Sequence, residues 1–469
     1  MTGGTVAAVD LGATSGRVML ARVGRDELQL REVARFPNGP VTVDGELHWD
    51  IARLHRAVLD GLSTALREEH AISSIGVDSW GCDYALLQGD TGLGEPFHYR
   101  DARNLAAAQR VNELVGVQRL YERNGLQFLA FNTLYQLEAE TRLPEADTML
   151  LIPDLFAYWL TGRRVAERTN ASTTGLLSVR DGEWDEGLID TLGLPRGVFP
   201  ELVDAGSLIG RVDARVAHEI GAWGRIDVTA VGSHDTASAI VAIPATSPDV
   251  AYISCGTWGL VGVELESPIL SEASRVANFT NEGGVDGRVR FLHNVMGLWL
   301  LSECVREWEA DGSMISVPEL VAQAAAVTDA VPVFDADDET FLAPGGMSSR
   351  IGAWLREHDL PVPASRPALV RSIMLSLAET FARTVRTASQ LSGRTVSAVH
   401  IVGGGSQNTL LCQLTADAVG VPVVAGPVEA TAIGNVLVQA RALGLIDGDL
   451  EALRALVVRA FPVVRYEPR

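Results

Sequence analysis

The sequence contains no lysine, and all 38 of its basic residues are arginine. A P-loop enzyme needs a lysine on the nucleotide phosphates, and a protein kinase needs the lysine of its third strand. Schiff-base aldolases and pyridoxal enzymes need a lysine amine as nucleophile. The chain can be none of these. Cysteine is also scarce: Cys82, Cys255, Cys304 and Cys412 are far apart, with no CxxC pair. That spacing predicts buried, reduced thiols rather than a disulfide framework or a zinc site. There is no GxSxG nucleophile elbow and no HExxH metal pair. No run approaches the ~18 uninterrupted apolar residues of a membrane span. The opening MTGGTVAAVDLGATSG lacks the basic stretch, apolar run and small-residue cleavage site of a signal peptide. These features predict a soluble, cytoplasmic protein.

What is present is an ordinary globular composition, 47% hydrophobic and 21% charged, over 469 residues. A chain this long exceeds what one hydrophobic core supports, so two domains are expected. The formal net charge of -21 repels phosphate backbones and anionic lipid surfaces. Nucleic acid and membranes are therefore poor partners, although a local basic patch can still hold one phosphorylated small molecule.

Strand and helix patterns alternate along the chain. Val6 to Val9 reads as a short buried strand ending at Asp10, and Arg17 to Val23 as its hairpin partner. Ile51 to Glu69 places Leu54, Val58, Leu62 and Leu66 on one helical face. Ser74 to Asp78 predicts a strand, and 104–121 and 134–142 predict helices. Near residue 250 the opening pattern recurs: strand Val250 to Ser254, the turn Gly256-Thr257, and strand Leu260 to Leu265. Ile226 to Val231 is a strand running into Gly232-Ser-His-Asp235, and Ile243-Pro-Ala-Thr-Ser-Pro248 reads as a linker. A helix is expected over 367–392, then a strand over 398–402 that opens through Gly403-Gly-Gly405 into a helix. Alternation of this kind indicates an α/β protein in which one architectural unit is used twice, with a ligand meeting one Gly-hydroxyl turn from each. The expected division is residues 1–243 and 244–469.

Several segments can carry chemistry. In Asp10 with Gly12-Ala-Thr-Ser-Gly16-Arg17, glycines let backbone N–H groups approach an anion, while Thr14 and Ser15 add hydroxyl donors. Asp10 at the strand end can hold magnesium directly or through water. Taken alone, the same residues serve equally as a hairpin turn closed by an Asx interaction. Ser254-Cys-Gly-Thr257 is the equivalent turn in the second half, and the glycines at 403–405 permit close approach of a phosphorylated ligand. In Gly232-Ser-His-Asp235-Thr236, a strand-end carboxylate can act as general base on a hydroxyl, or as a helix N-cap. Asp78-Ser-Trp-Gly-Cys-Asp83 and Tyr99-Arg-Asp-Ala-Arg103 mix aromatic faces with polar groups, which suits either a sugar or a capped core.

Read together, AVDLGATSGRVMLARV, SIGVDSWGCDYALL, YRDARN, NGLQFLAFNTLYQL, TNASTT, VGSHDTASA, SCGTWGL, NEGG, NVMGLWLL and IVGGGSQNTLLCQLTADAVGVPVVAGPVEATAIGN resemble the FGGY carbohydrate kinases, specifically the branch that acts on L-rhamnulose. They run in order from residue 6 to about residue 435. NGLQFLAFNTLYQL and SHDTASA are far more specific than the Gly-rich turns. The resemblance implies two actin-like (ribonuclease H-like) α/β domains with an ATP and sugar cleft between them, an N-terminal sugar-binding domain and a C-terminal nucleotide-binding one. It implies transfer of the γ-phosphoryl group of ATP, with Mg2+, to the 1-hydroxyl of L-rhamnulose. Asp235 is then the base; Gly81, His234, Asp235, Thr236 and Asn294 meet the sugar; Ala13, Thr14, Ser15, Gly16, Arg17, Thr257 and Gly404 meet the nucleotide; and Asp10 holds the metal. Ser302 stands where the family pattern often has glutamine, a departure that puts one nucleotide contact in doubt.

Two other readings remain at this level. A kinase for another ketose such as L-fuculose keeps every motif, and an actin-like nucleotide switch keeps the paired turns but has no use for SHDT. The sequence leaves oligomeric state open, with a monomer as the default.

Overall fold

A computed structural model of the chain describes residues 3–469. It contains two compact units, and neither is continuous in sequence. The first comprises the chain through Ala242 together with Glu264–Phe291 and Ala430–Ala460; the second comprises Ile243–Val263, Leu292–Glu429 and Phe461–Arg469.

The first unit is built on strands β1 (Gly4–Leu11), β2 (Ser15–Gly24) and β3 (Glu27–Pro37), helix α1 (Ile51–Glu68), and strands β4 (Ile72–Ser79), β5 (Leu208–Arg211) and β6 (Asp227–Thr229). Helix α2 (Asp235–Val241) follows. The sheet order is β5-β6-β4-β1-β2-β3. β1 pairs antiparallel with β2, Asp10 opposite Arg17, and parallel with β4, Asp10 beside Asp78. β1 is buried from Val6 onward because it lies centrally in the sheet, under α1 and the late helix Ala430–Ala442. In α1, Leu54, Val58, Leu62 and Leu66 are all buried, as the helical spacing predicts.

In the second unit, β7 (Val250–Cys255) and β8 (Trp258–Leu265) form an antiparallel hairpin, Cys255 opposite Gly259. Strand β9 (Val289–Met296), helix α3 (Arg366–Ser392), strand β10 (Ala398–Val402), helix α4 (Thr409–Val419), and strands β11 (Val423–Ala425) and β12 (Val464–Tyr466) follow; the strands run in the order β9-β8-β7-β10-β11-β12, with the short strand Thr280–Gly283 at the edge beside β9. Each unit thus has the antiparallel hairpin beside a parallel strand, β1-β2 with β4 and β7-β8 with β10.

Three expectations need correction. The helix expected over 104–121 is two helices, Arg103–Val115 and Val117–Asn124, because Gly116 takes φ 87° and ends the first. The helix expected over 134–142 stops at Glu138. The glycines at 403–405 do not open α4 directly. A single 3-10 turn over Gly404–Gln407 intervenes, and α4 starts after Asn408, whose Oδ1 accepts from the Leu411 amide at 3.0 Å.

Candidate active site

The segment Gly232-Ser-His-Asp continues from the sheet. The Ser79 amide at the end of β4 donates to the Ser233 carbonyl at 2.9 Å, and the Ser238 hydroxyl of α2 donates to Gly232 O at 2.7 Å. His234 is the N-cap of α2 and Asp235 its first residue. Beneath them lies Glu167, almost wholly buried. Its Oε2 accepts from the Ser233 amide (3.0 Å), the Ser233 hydroxyl (2.8 Å), the Thr169 hydroxyl (2.5 Å) and the Asn170 amide (3.3 Å). Four donors on one carboxylate oxygen make the loop rigid, since releasing any of them leaves a buried group unpaired. Glu167, just ahead of the TNASTT segment, is a residue that sequence reading misses: its partner Ser233 is 66 positions away.

Asp235 is half-buried, and its Oδ1 accepts from the Thr236 hydroxyl at 3.1 Å. Burial pushes its carboxyl above the ordinary range and the nearby Asp10 charge adds to the rise, while the adjoining His234 side chain and the Thr236 hydrogen bond pull it back. His234 Nε2 lies 3.5 Å from Asp235 Oδ1, while Nδ1 faces Arg290 and Glu282.

Asp10 is buried at the end of β1 and is held by Arg17, whose Nε (2.9 Å) and Nη2 (2.8 Å) both reach its Oδ2. Beside it, Asp78 is fully buried, and burial drives its carboxyl well above the ordinary range, reinforced by the Asp10 charge. Asn435, from the helix Ala430–Ala442, donates to Asp78 Oδ2 at 2.6 Å and accepts from Gln439, which also donates to Ala7 O. The turn between β1 and β2 is fixed by Gly12 N to Ser15 O (2.9 Å) and by Asn38, whose amide and side chain reach Thr14 O and Gly12 O. Ala13 and Ser15 are half-buried and Thr14 is exposed at its rim, whereas Gly16 lies beneath: a Cβ there would stand 2.2 Å from the Phe36 ring.

Gly81 sits against Thr173, and a Cβ on it would meet Thr173 Oγ1 at 3.0 Å. The neighbouring Asp83 is fully buried and accepts from Trp49 Nε1 (2.6 Å), Trp80 Nε1 (3.0 Å), the Tyr99 amide (3.2 Å) and Gln136 Nε2 (2.8 Å). Burial raises its carboxyl to about 6, against the pull of those donors. Of the residues grouped in the sequence, Trp80, Asp83 and the Tyr99 amide thus belong to one network, in which Asp83 locks the indole beside Gly81.

In the second unit, the Gly256 amide donates to Trp258 O at 2.8 Å, and the amides of Gly297 and Trp299 donate to Thr257 O at 3.2 Å. A Cβ on Gly297 would stand 2.5 Å from the Trp258 carbonyl carbon, so this close approach requires glycine. The segment bearing Asn294 in β9 is thereby tied to the Thr257 turn. Ser302, exposed on the helix Trp299–Ala310, lies one turn further on. Gly404 is exposed at the start of the 3-10 turn, next to Gly405, where a Cβ would collide with Cys255 of β7.

The structure therefore brings Asp10, Arg17, Asp235 and His234 together in the first unit, and the Thr257 turn, Asn294 and Gly404 into the second. Glu282 lies in the NEGG segment, which gives no role for it on its own, and Arg290 escapes sequence reading altogether. Among the described residues no group of three or more His, Cys, Asp or Glu side chains is arranged to hold a metal, and no helix is long and apolar enough to cross a membrane.

Comparison with known proteins supplies the family and the fold. The model of the N-terminal domain of the FGGY family of carbohydrate kinases matches residues 5–242, and that of its C-terminal domain matches 251–443. A rhamnulokinase of Pectobacterium carotovorum subsp. carotovorum (strain PC1) is 43% identical, over 99% of this chain and 93% of its own. One from Bacteroides thetaiotaomicron is 39% identical, over 98% and 95%. The fold matches a ligand-bound xylulose kinase from Lactobacillus acidophilus, with a TM-score of 0.80 at 18% identity over 99% of this chain and 94% of that one. It also matches Plasmodium falciparum glycerol kinase with ADP, with a TM-score of 0.78 at 14% identity over 100% and 95%. The chain is an ATP-dependent sugar kinase with the two-domain α/β kinase fold, and it belongs to the FGGY family of carbohydrate kinases.

Proposed function

We propose that the protein transfers the γ-phosphoryl group of ATP to the 1-hydroxyl of L-rhamnulose, giving L-rhamnulose 1-phosphate and ADP in the cytoplasmic catabolism of L-rhamnose. The observation that carries the chemistry is the half-buried Asp235 carboxylate on a loop fixed by Glu167. The sugar is taken from the two relatives named rhamnulokinase, at 43% and 39% identity over nearly the whole chain.

In this reading Asp235 accepts the proton of the 1-hydroxyl as that oxygen attacks the γ-phosphorus. The bond from phosphorus to the β–γ bridging oxygen breaks, and ADP leaves with its electron pair. Gly81, His234, Thr236 and Asn294 orient the sugar. Ala13 to Arg17 and Thr257 hold the phosphates, and Ser302 and Gly404 face the nucleoside side. Catalysis by such groups rests on positioning and electrostatics. Because Arg17 already occupies Asp10 Oδ2, Asp10 would hold a magnesium ion that arrives with ATP through the ion's waters rather than in a resident all-protein cage. When bound, that ion offsets charge on the phosphates. The division at 243/244 between a sugar-binding and a nucleotide-binding domain, and a monomeric state, complete the proposal. The test is ADP release from Mg-ATP and L-rhamnulose by the parent and by Asp235→Ala. An Asp235→Ala enzyme working near the parent rate would remove Asp235 from the role of base.

A further inference from the structure

Arg290 is completely buried, and its guanidinium makes two hydrogen bonds and one ion pair. Nε donates to the Gly283 carbonyl at 2.8 Å, Nη1 lies 3.1 Å from Glu282 Oε2, and Nη2 lies 3.1 Å from His234 Nδ1. Every guanidinium nitrogen is a donor and none accepts. Nδ1 can therefore meet Nη2 only with its lone pair, which puts the imidazole proton on Nε2. Glu282 Oε2 also lies 3.3 Å from Nδ1 and would favour a proton there. Its charge, however, is already matched by Nη1 of Arg290, and a proton on Nδ1 would point into the N–H groups of the same guanidinium. The arginine contact decides the tautomer.

We propose that Arg290, held in place by Glu282, fixes His234 as the Nε2–H tautomer and so makes it a hydrogen-bond donor to a sugar oxygen beside Asp235. Nε2 stands 3.5 Å from Asp235 Oδ1, so donor and base flank one point in space. A substrate oxygen there accepts from Nε2–H while the Asp235 carboxylate accepts from the attacking hydroxyl. Arg290 is a positioning residue, acting on the sugar only through His234. This rests on the reading of His234 as a sugar contact.

The first test needs no turnover. Long-range proton–nitrogen spectra of the parent protein labelled with 15N-histidine, with the His234 signals assigned by their loss in His234→Gln, should show the Nε2–H pattern at neutral pH. An Nδ1–H or imidazolium pattern overturns the proposal, whatever sugar the enzyme uses. The second test is the paired variant Arg290→Met/Glu282→Met, which removes both charges together and strands neither in the interior. It should show mixed His234 tautomers, a KM for L-rhamnulose raised about 10- to 100-fold, the range that loss of the partner behind a metal-ligating histidine gives, and an unchanged KM for ATP. An unaltered His234 spectrum and sugar KM in that variant would also overturn the proposal. If the paired variant does not fold, the parent spectrum decides. If another ketose is the true substrate, the KM comparison is made on that ketose.

Discussion

Glu167 Oε2 accepts from both the backbone amide and the hydroxyl of Ser233, at 3.0 and 2.8 Å, two residues before Asp235. Alanine in place of Glu167 removes that oxygen and leaves the Ser233, Thr169 and Asn170 donors without their acceptor. Glu167→Ala should lower kcat at least about tenfold, and the buried donors left unpaired should cost about 1–3 kcal/mol in urea unfolding. A variant with parental melting and turnover would show that the latch has no role.

Asp235 carries a raised pKa because burial disfavours its charged form. A base works deprotonated, so kcat/KM should fall as pH drops through that raised value, at higher pH than an ordinary carboxylate would give. Asp235→Asn should lose a factor of about 100 to 10,000 in kcat, with that acid limb gone. The pH–rate profiles of the two proteins read both effects at once.

Gly434 of the helix Ala430–Ala442 crosses α2 so closely that a Cβ would stand 1.8 Å from the Ser238 carbonyl oxygen. The obstacle is backbone, so neither side can yield without moving a helix. Gly434→Ala should destabilise the protein by about 3 kcal/mol and reduce kcat, because α2 begins with Asp235. Thermal melts beside turnover measurements check both.

Asp83 has its carboxyl raised from 3.8 to about 6 by burial. The folded state then binds this proton more tightly than the unfolded chain does. The stability it contributes is complete below about pH 4 and is lost as pH rises to about 6, about 3 kcal/mol in all. Asp83→Asn removes the titrating group, so its unfolding free energy should lack that share of the decline. Urea titrations of both proteins across the window measure the difference; parallel curves would contradict it.

The hairpins β1-β2 and β7-β8 were legible because a short apolar run, a Gly-hydroxyl turn and a second run are local signals. The segments that carry the proposed site residues Asp235, Thr257 and Gly81 stand out for the same reason, each being short and local. Glu167 and Arg290 were not, because their partners lie 66 and 56 residues away and nothing in the local pattern marks a buried charge. Nor could periodicity show that Ala430–Ala442 joins the first unit, where Asn435 meets Asp78 across 357 residues. Gly116 was visible, but its left-handed conformation, which breaks the helix expected over 104–121, was not.

The most direct measurement is ADP release with Mg-ATP over a panel of L-rhamnulose, L-fuculose, L-xylulose, D-fructose and glycerol. The account predicts strong selectivity for L-rhamnulose and almost complete loss of it in Asp235→Asn. Equal, slow ADP release with and without every sugar would contradict it.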